Sequence, residues 1–279
     1  MSRETNVIIF EDTVKKYNTV TKLKDSVLKS CKETKVYLET QSLQLINRDL
    51  VDTEVLVTKD RSFEAARKLI ESGYNKVCVH NFASATNPGG GVTKGSSAQE
   101  ECLCRVSTLY ASLVQPKCMD NFYKPHRKQN AIHNADCIYT PNVTVFKTDT
   151  SNPVIMKETE WYDVNVITCA APNLRQNTRN RFNIDESKEP VKLTDKELLD
   201  IHKVRLQRIV DIAYENGNEC LVLGAFGCGA FQNNPNIVAR ATKEILKDNE
   251  GKFKKVIIAV YCNPNDENNY NVFKRSLGK

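Results

Sequence analysis

A chain of 279 residues with 40% apolar and 27% charged side chains and only 11 glycines is composed like an ordinary globular enzyme. Low-complexity, collagen-like and disulfide-scaffold classes are excluded by that composition, and a net formal charge of +6 is mild for this length. The length suits one large domain, or a medium α/β domain with an extra segment of roughly 50–100 residues.

In chain order, Asn6–Tyr17 and Thr21–Cys31 space their apolar residues as helices do. Residues 1–50 are therefore expected to form a helical accessory segment, with the main domain at 51–279. Glu54–Thr58 is a short β-rich run, and Ser62–Glu71 is a helix stopped by Gly73. Lys76–Phe82 reads as a strand, followed by a glycine-rich loop from Ala83 to Gly95 and a helix over Ser97–Leu113. Ile138–Tyr139 and Val143–Phe146 are strand-like pieces in a looser stretch, and Asn165–Ala170 is a strand. The polar stretch 172–193 reads as a surface loop, with a flap beside the site as the sharper alternative. Thr194-Asp-Lys-Glu197 fits a capping box and opens a long helix ending near Gly217. A strand at Cys220–Gly224, a second glycine loop at Ala225–Phe231, a helix at Ile237–Lys247 and a strand at Lys255–Cys262 complete the chain. Strands alternating with helices predict an α/β fold with a mixed or mostly parallel sheet covered on both faces.

Several function classes have no support. No apolar run approaches the ~18–20 residues of a membrane span, and the first residues lack the basic-then-apolar pattern of a secretory signal. A cytoplasmic address is expected, or a nuclear one in a eukaryote. The densest basic clusters, Lys252–Lys254–Lys255 and Arg175–Arg179–Arg181, are short and broken, so no dedicated nucleic-acid-binding region is expected. Ten cysteines contain no Cys-x-x-Cys, and the four histidines form no His-x-x-x-His, which gives no expectation of a metal or other cofactor. All ten are expected to be free thiols in a reducing compartment.

The informative part is two loops built on one plan, each following an apolar strand and leading into a helix. The first is Asn81-Phe-Ala-Ser-Ala-Thr-Asn87-Pro-Gly89-Gly90-Gly91-Val-Thr-Lys-Gly95-Ser-Ser-Ala-Gln99-Glu100-Glu101, and the second runs from Gly224 through Gly227, Cys228, Gly229 and Ala230 to Phe231. Glycine tolerates positive φ and has no Cβ, so backbone N–H groups can converge on an anion beside a helix start. Two such loops at the carboxyl ends of strands in one sheet suggest a ligand carrying a diphosphate. Neither loop supplies the Walker order or the dinucleotide fingerprint. Adjacent helical residues project about 100° apart. Glu100 and Glu101 therefore cannot do the same job: one can face a scissile bond while the other orients a hydroxyl.

Gly89-Gly90-Gly91, seven intervening residues and then Gln99-Glu100-Glu101 resembles the catalytic signature of poly(ADP-ribose) glycohydrolases, and Gly224–Phe231 resembles that family's diphosphate loop. Asn81-Phe-Ala-Ser-Ala-Thr-Asn-Pro, Tyr139-Thr-Pro-Asn-Val-Thr-Val-Phe and Ala170-Ala-Pro-Asn are similar to its microbial-type branch. The resemblance implies a three-layer α/β/α macrodomain-like core with a mixed sheet and an N-terminal helical extension. It implies hydrolysis of the ribose–ribose O-glycosidic bond of poly(ADP-ribose), releasing ADP-ribose. Carried over by position, Glu101 would be the general acid and Glu100 would place the ribose hydroxyls. Gly89, Gly90 and Gly91 would line ribose and phosphate, with Gln99 supporting the loop. Gly227, Cys228, Gly229 and Ala230 would form the diphosphate loop, with Phe231 packing on the terminal ribose. Ser84 stands where many macrodomains have a ribose-contacting Asn, and Asn87 is the substitute; Tyr261 and Asn263 are candidates for the adenine.

Cleavage of a ribosidic bond through an oxocarbenium-like state needs a carboxylic acid that is protonated near neutrality. A helix start would lower the Glu101 pKa, whereas burial and the Glu100 carboxylate would raise it, and catalysis requires the second pair to prevail. No well-separated second carboxylate presents itself as a covalent nucleophile, so water is expected to attack the oxocarbenium ion. Two other readings stay open: an ADP-ribose-binding reader, and a hydrolase of single ADP-ribosyl groups on protein or nucleic acid.

Overall fold

The computed structural model describes residues 1–44, 48–177, 190–262 and 265–278. The helices are α1 (Arg3–Thr19), α2 (Thr21–Glu33), α3 (Ser62–Glu71), α4 (Gln99–Val106), α5 (Leu109–Leu113), the short α6 (Pro116–Cys118) and α7 (Lys124–His126), α8 (Asp195–Glu215), α9 (Pro235–Asp248) and α10 (Asn268–Leu277). The strands are β1 (Lys35–Tyr37), β2 (Glu54–Thr58), β3 (Val77–Ala83), β4 (Cys137–Val145), β5 (Tyr162–Ala170), β6 (Cys220–Leu223) and β7 (Lys255–Ala259). Among the described residues they form one mixed sheet in the order β1-β4-β5-β3-β6-β7-β2. β5, β3, β6, β7 and β2 run parallel, whereas β4 is antiparallel to both β5 and β1.

The period-2 alternation of strand side chains produces the three layers. On one face Cys78, Leu221, Leu223, Val256 and Ile258 pack with Ile209, Val238 and Phe273 from α8, α9 and α10. On the other, Val77, Val79, Val222 and Ile257 pack with Phe10, Phe63, Leu69 and Leu103 from α1, α3 and α4. The central strands are apolar at nearly every position because both faces are covered. That is the α/β/α macrodomain-like core expected above.

Local signals set several elements. Thr194 Oγ1 accepts from the Glu197 N–H at 3.2 Å, and Glu197 Oε2 accepts from the Thr194 N–H at 2.8 Å, closing the capping box of α8. Gly73, at φ +93°, ends α3 with its N–H on the Ile70 carbonyl.

Four features differ from expectation. The single helix over Ser97–Leu113 is two helices, broken at Ser107. There the chain turns extended to bridge Val145, and the Thr108 N–H binds the Thr144 carbonyl at 3.0 Å. Short helical turns fill 116–126 around Pro116 and Pro125. Lys35–Tyr37 forms an edge strand on β4, so residues 1–50 supply sheet as well as helix. A C-terminal helix, α10, packs Phe273 into the core.

Candidate active site

The central strand β3 and its neighbour β6 end side by side, and the two glycine loops leave from those ends. Between them lies a cavity of about 600 Å³, whose wall includes Ser84, Gly90, Gly91, Gln99, Glu100, Glu101, Gly227, Gly229, Ala230 and Phe231. The position is the carboxyl edge of a parallel sheet, where α/β folds bind ligands.

Helix α4 starts at the cavity and is pinned there by Gln99. Its Oε1 accepts from the Phe82 N–H at 2.9 Å, while its Nε2 donates to the His80 carbonyl at 2.8 Å and to Ser62 Oγ at 3.0 Å. Gln99 thus bonds the helix start to β3 and α3. The two glutamates that follow diverge as helical geometry requires. Glu100 turns to the end of β3, where its carboxylate accepts from the Ser84 N–H at 2.7 Å and from Asn81 Nδ2 at 3.3 Å. Glu101 turns to the first loop, where Oε1 accepts from the Gly91 N–H at 2.9 Å. Its Oε2 is buried with no hydrogen-bond partner among the described residues.

Both carboxyls titrate high. Burial is the main cause for each, and the neighbouring Glu101 charge adds to it at Glu100. The Gly91 N–H and the Arg105 guanidinium pull Glu101 the other way without prevailing. Gly90 shows why the loop needs glycine: at φ +58° a Cβ there would lie 2.5 Å from Glu101 Oε1 and 3.1 Å from Glu100 Oε2. The loop is in turn braced by a local turn and by α1. Gly91 accepts the Ser96 N–H at 3.1 Å, and Asn6 Nδ2 of α1 donates to the Gly95 carbonyl at 3.0 Å.

The second loop contributes backbone. The Cys228, Asn233 and Gln232 N–H groups bind the carbonyls of Ala225, Gly227 and Gly229, at 3.1, 3.0 and 3.1 Å. Those carbonyls are therefore paired within the loop and the residues just after it. The N–H groups of Gly229 and Ala230, both in the cavity wall, have no hydrogen-bond partner among the described residues. Backbone N–H groups left unpaired in a cavity wall are available to an anion.

Not every expected residue reaches the cavity. Asn87 and Gly89 stand behind the first loop: the Asn87 N–H binds Ser84 Oγ at 3.1 Å, and Gly89 backs onto the Tyr110 ring. Gly89 acts on the site through its N–H, which bonds Glu100. Cys228 packs against the core beneath the second loop. Of the adenine candidates, Tyr261 lines the cavity and Asn263 lies outside the described residues. The part of 172–193 that is described begins in the site: the Leu174 N–H binds the Phe231 carbonyl at 3.0 Å, and the Arg175 guanidinium sits 5.5 Å from the Phe231 ring centroid. Residues 178–189 lie outside the described residues.

Two cavity residues escaped the sequence. Arg61 places its guanidinium 4.0 Å from the Tyr261 ring centroid, a stacked cation–aromatic pair in the cavity wall. Asp149 is buried; one oxygen accepts from the Phe63 N–H at 3.1 Å and the other has no partner among the described residues. Burial raises its pKa to about 6 against the pull of Arg61. The only sequence hint for Arg61 is its place just before α3, and Asp149 has none. Among the described residues no His, Cys, Asp and Glu cluster could hold a metal, and no helix is long and apolar enough to cross a membrane.

The family described as microbial-type PARG, catalytic domain, matches residues 3–148. Solved structures are similar over nearly the whole chain. A poly(ADP-ribose) glycohydrolase from Thermomonospora curvata is 29% identical, with a TM-score of 0.82, covering 98% of this chain and 100% of that one. The same organism's glycohydrolase bound to the inhibitor ADP-HPD is 28% identical, with a TM-score of 0.79 and coverages of 98% and 99%. A poly(ADP-ribose) glycohydrolase from Deinococcus radiodurans in complex with ADP-ribose is 29% identical, with a TM-score of 0.71 and coverages of 90% and 96%. No curated protein matches the chain.

Proposed function

The chain belongs to the microbial-type poly(ADP-ribose) glycohydrolases, hydrolases that release ADP-ribose from the polymer, and from that premise we propose how its two loops divide the reaction. The second loop takes the diphosphate on the N–H groups of Gly229 and Ala230, with Phe231 against the terminal ribose. Glu100, held from the β3 side, orients ribose hydroxyls. Glu101 is the general acid. Its proton goes to the departing ribose oxygen as the glycosidic bond breaks, and water then adds to the oxocarbenium carbon, giving its proton back to the Glu101 carboxylate.

One observation carries this assignment. Glu101 has one oxygen anchored by the Gly91 N–H and the other buried in the cavity wall with no partner among the described residues, in a setting that raises its pKa. An acid that must be protonated near neutrality and return to service after each turnover needs those three properties together. In this reading residues 51–279 form the catalytic domain. Residues 1–50 brace it, since Asn6 and Thr13 hold the backbone at Gly95 and Arg105. A reducing cytoplasm is the setting taken for a chain whose ten cysteines are free thiols.

The test is release of ADP-ribose from poly(ADP-ribose), set beside a mono-ADP-ribosylated protein and a mono-ADP-ribosylated oligonucleotide. The expected result is rapid release from the polymer. Binding of ADP-ribose without release from any substrate would make the chain a reader and overturn the assignment.

A further inference from the structure

Two carbonyls of the second loop, those of Gly227 and Phe231, are held by a side chain from outside it. The residue responsible lies just beyond it. Asn233 is 2% exposed, and its Nδ2 donates to the carbonyls of Pro172 at 2.8 Å, Phe231 at 3.1 Å and Gly227 at 3.2 Å. Its own backbone N–H binds the Gly227 carbonyl as well, at 3.0 Å. A single buried amide therefore ties the start and the end of the loop to the segment that follows β5.

This arrangement works only if the amide faces one way. With Nδ2 committed to three carbonyls, Oδ1 must be the atom that meets His202 Nε2, 2.8 Å away on α8. A carbonyl oxygen there demands that Nε2 carry the proton. His202 is fully buried, its Nδ1 has no partner among the described residues, and its ring meets the Phe226 ring edge-on at 5.4 Å. The imidazole is thus neutral, and its one N–H points at Asn233. Gly227 completes the fit: a Cβ at that position would lie 2.9 Å from Asn233 Nδ2.

We infer that Asn233, oriented by His202, is a positioning pair that presets the diphosphate loop by drawing its carbonyls back from the anion. A loop whose carbonyls rotated toward the cavity would oppose phosphate oxygens with like partial charge, so the pair acts on binding and leaves the carboxylates alone. The inference rests on the functional reading above, since it takes the diphosphate to lie on this loop.

The near-isosteric Asn233→Asp replaces the donor by an acceptor that faces three carbonyls. With the loop carbonyls no longer held back, KM for poly(ADP-ribose) and Kd for ADP-ribose should both rise about 10- to 100-fold with kcat within about threefold. The histidine pair of variants gives the control. His202→Gln keeps an N–H at the Nε2 position and should stay within about twofold of wild type, while His202→Leu removes it and should weaken ADP-ribose about 10-fold. Titration of ADP-ribose by calorimetry beside steady-state kinetics reads both effects, with melting temperature recorded for each protein.

Unchanged ADP-ribose affinity in folded Asn233→Asp, or equal behaviour of His202→Gln and His202→Leu, overturns the positioning role. A lowered melting temperature with KM and Kd intact means the pair is only structural, and also overturns it. Should Asn233→Asp not fold, the His202 pair decides. Failure of the functional reading looks different: wild-type protein would then not release ADP-ribose from the polymer, whether or not it bound ADP-ribose.

Discussion

The two glycine loops start from adjacent strands and wall one cavity, but they are held in opposite ways. The first is fixed by side chains that belong to the chemistry: Gly91 donates to Glu101, and Gly90 leaves room for both carboxyls. The second is fixed from behind by Asn233, which takes no place in the cavity wall. In the proposed mechanism the difference separates cutting from gripping: a change in the first loop should move reacting groups, whereas a change in the second should alter affinity and spare the acid.

Glu101→Gln should give the largest effect, because it keeps size and hydrogen bonding but has no proton to donate. A general acid is worth about 10²–10⁴ in rate, so kcat should fall by about 10³-fold with ADP-ribose affinity within about twofold. Parallel loss of affinity would show that the acid also grips. Gly90→Ala comes next. Its Cβ would press on both carboxyls from a left-handed backbone position, and kcat should drop by about 10²-fold with some loss of melting temperature.

The pH dependence separates the loops by sign. In the proposed mechanism the active form of Glu101 is protonated, and its pKa lies above the ordinary carboxylate value. Activity should therefore persist below that raised pKa and fall as pH rises through it, about tenfold in kcat per pH unit once beyond it. ADP-ribose binding through backbone N–H groups should be flat over the same range. A Kd that followed the kcat profile would erase the distinction. Gly229→Ala should have the mildest effect. Among the described residues nothing lies within 4 Å of the added Cβ, and Gly229 has no positive φ. Melting temperature should hold while KM rises about 10-fold, because the methyl enters the space the diphosphate requires.

Much of this was legible in the sequence where the cause is local. Glu54–Thr58 and Ser62–Glu71 form as their patterns predict, because β-rich composition, the Glu64 carboxylate on the Arg61 N–H and Gly73 act within a few residues. The break at Ser107 was not legible, since its cause is a bond to Thr144 across the sheet. Nor was β1, a three-residue edge whose partner lies about a hundred residues on. At the site, motif spacing carried Glu100, Glu101 and the glycines to one cavity. It could not tell a residue in the wall from one behind it, which is why Asn87, Gly89 and Cys228 fall on the far side. Arg61 and Asp149 enter through α3 packing on the site, and no repeat or spacing marks them.

The sheet order has a consequence for how the chain is made. β2 pairs only with β7, so Val55 meets Val256 across 201 positions, and the grip loop emerges well over a hundred residues after the cutting loop. Contacts so distant in sequence place folding at the slow end for a domain of this kind. A nascent chain that has already made both glutamates still lacks β6, the second loop and Asn233. In the proposed mechanism its paired carboxyls have no diphosphate seat until β6 and the second loop have been made.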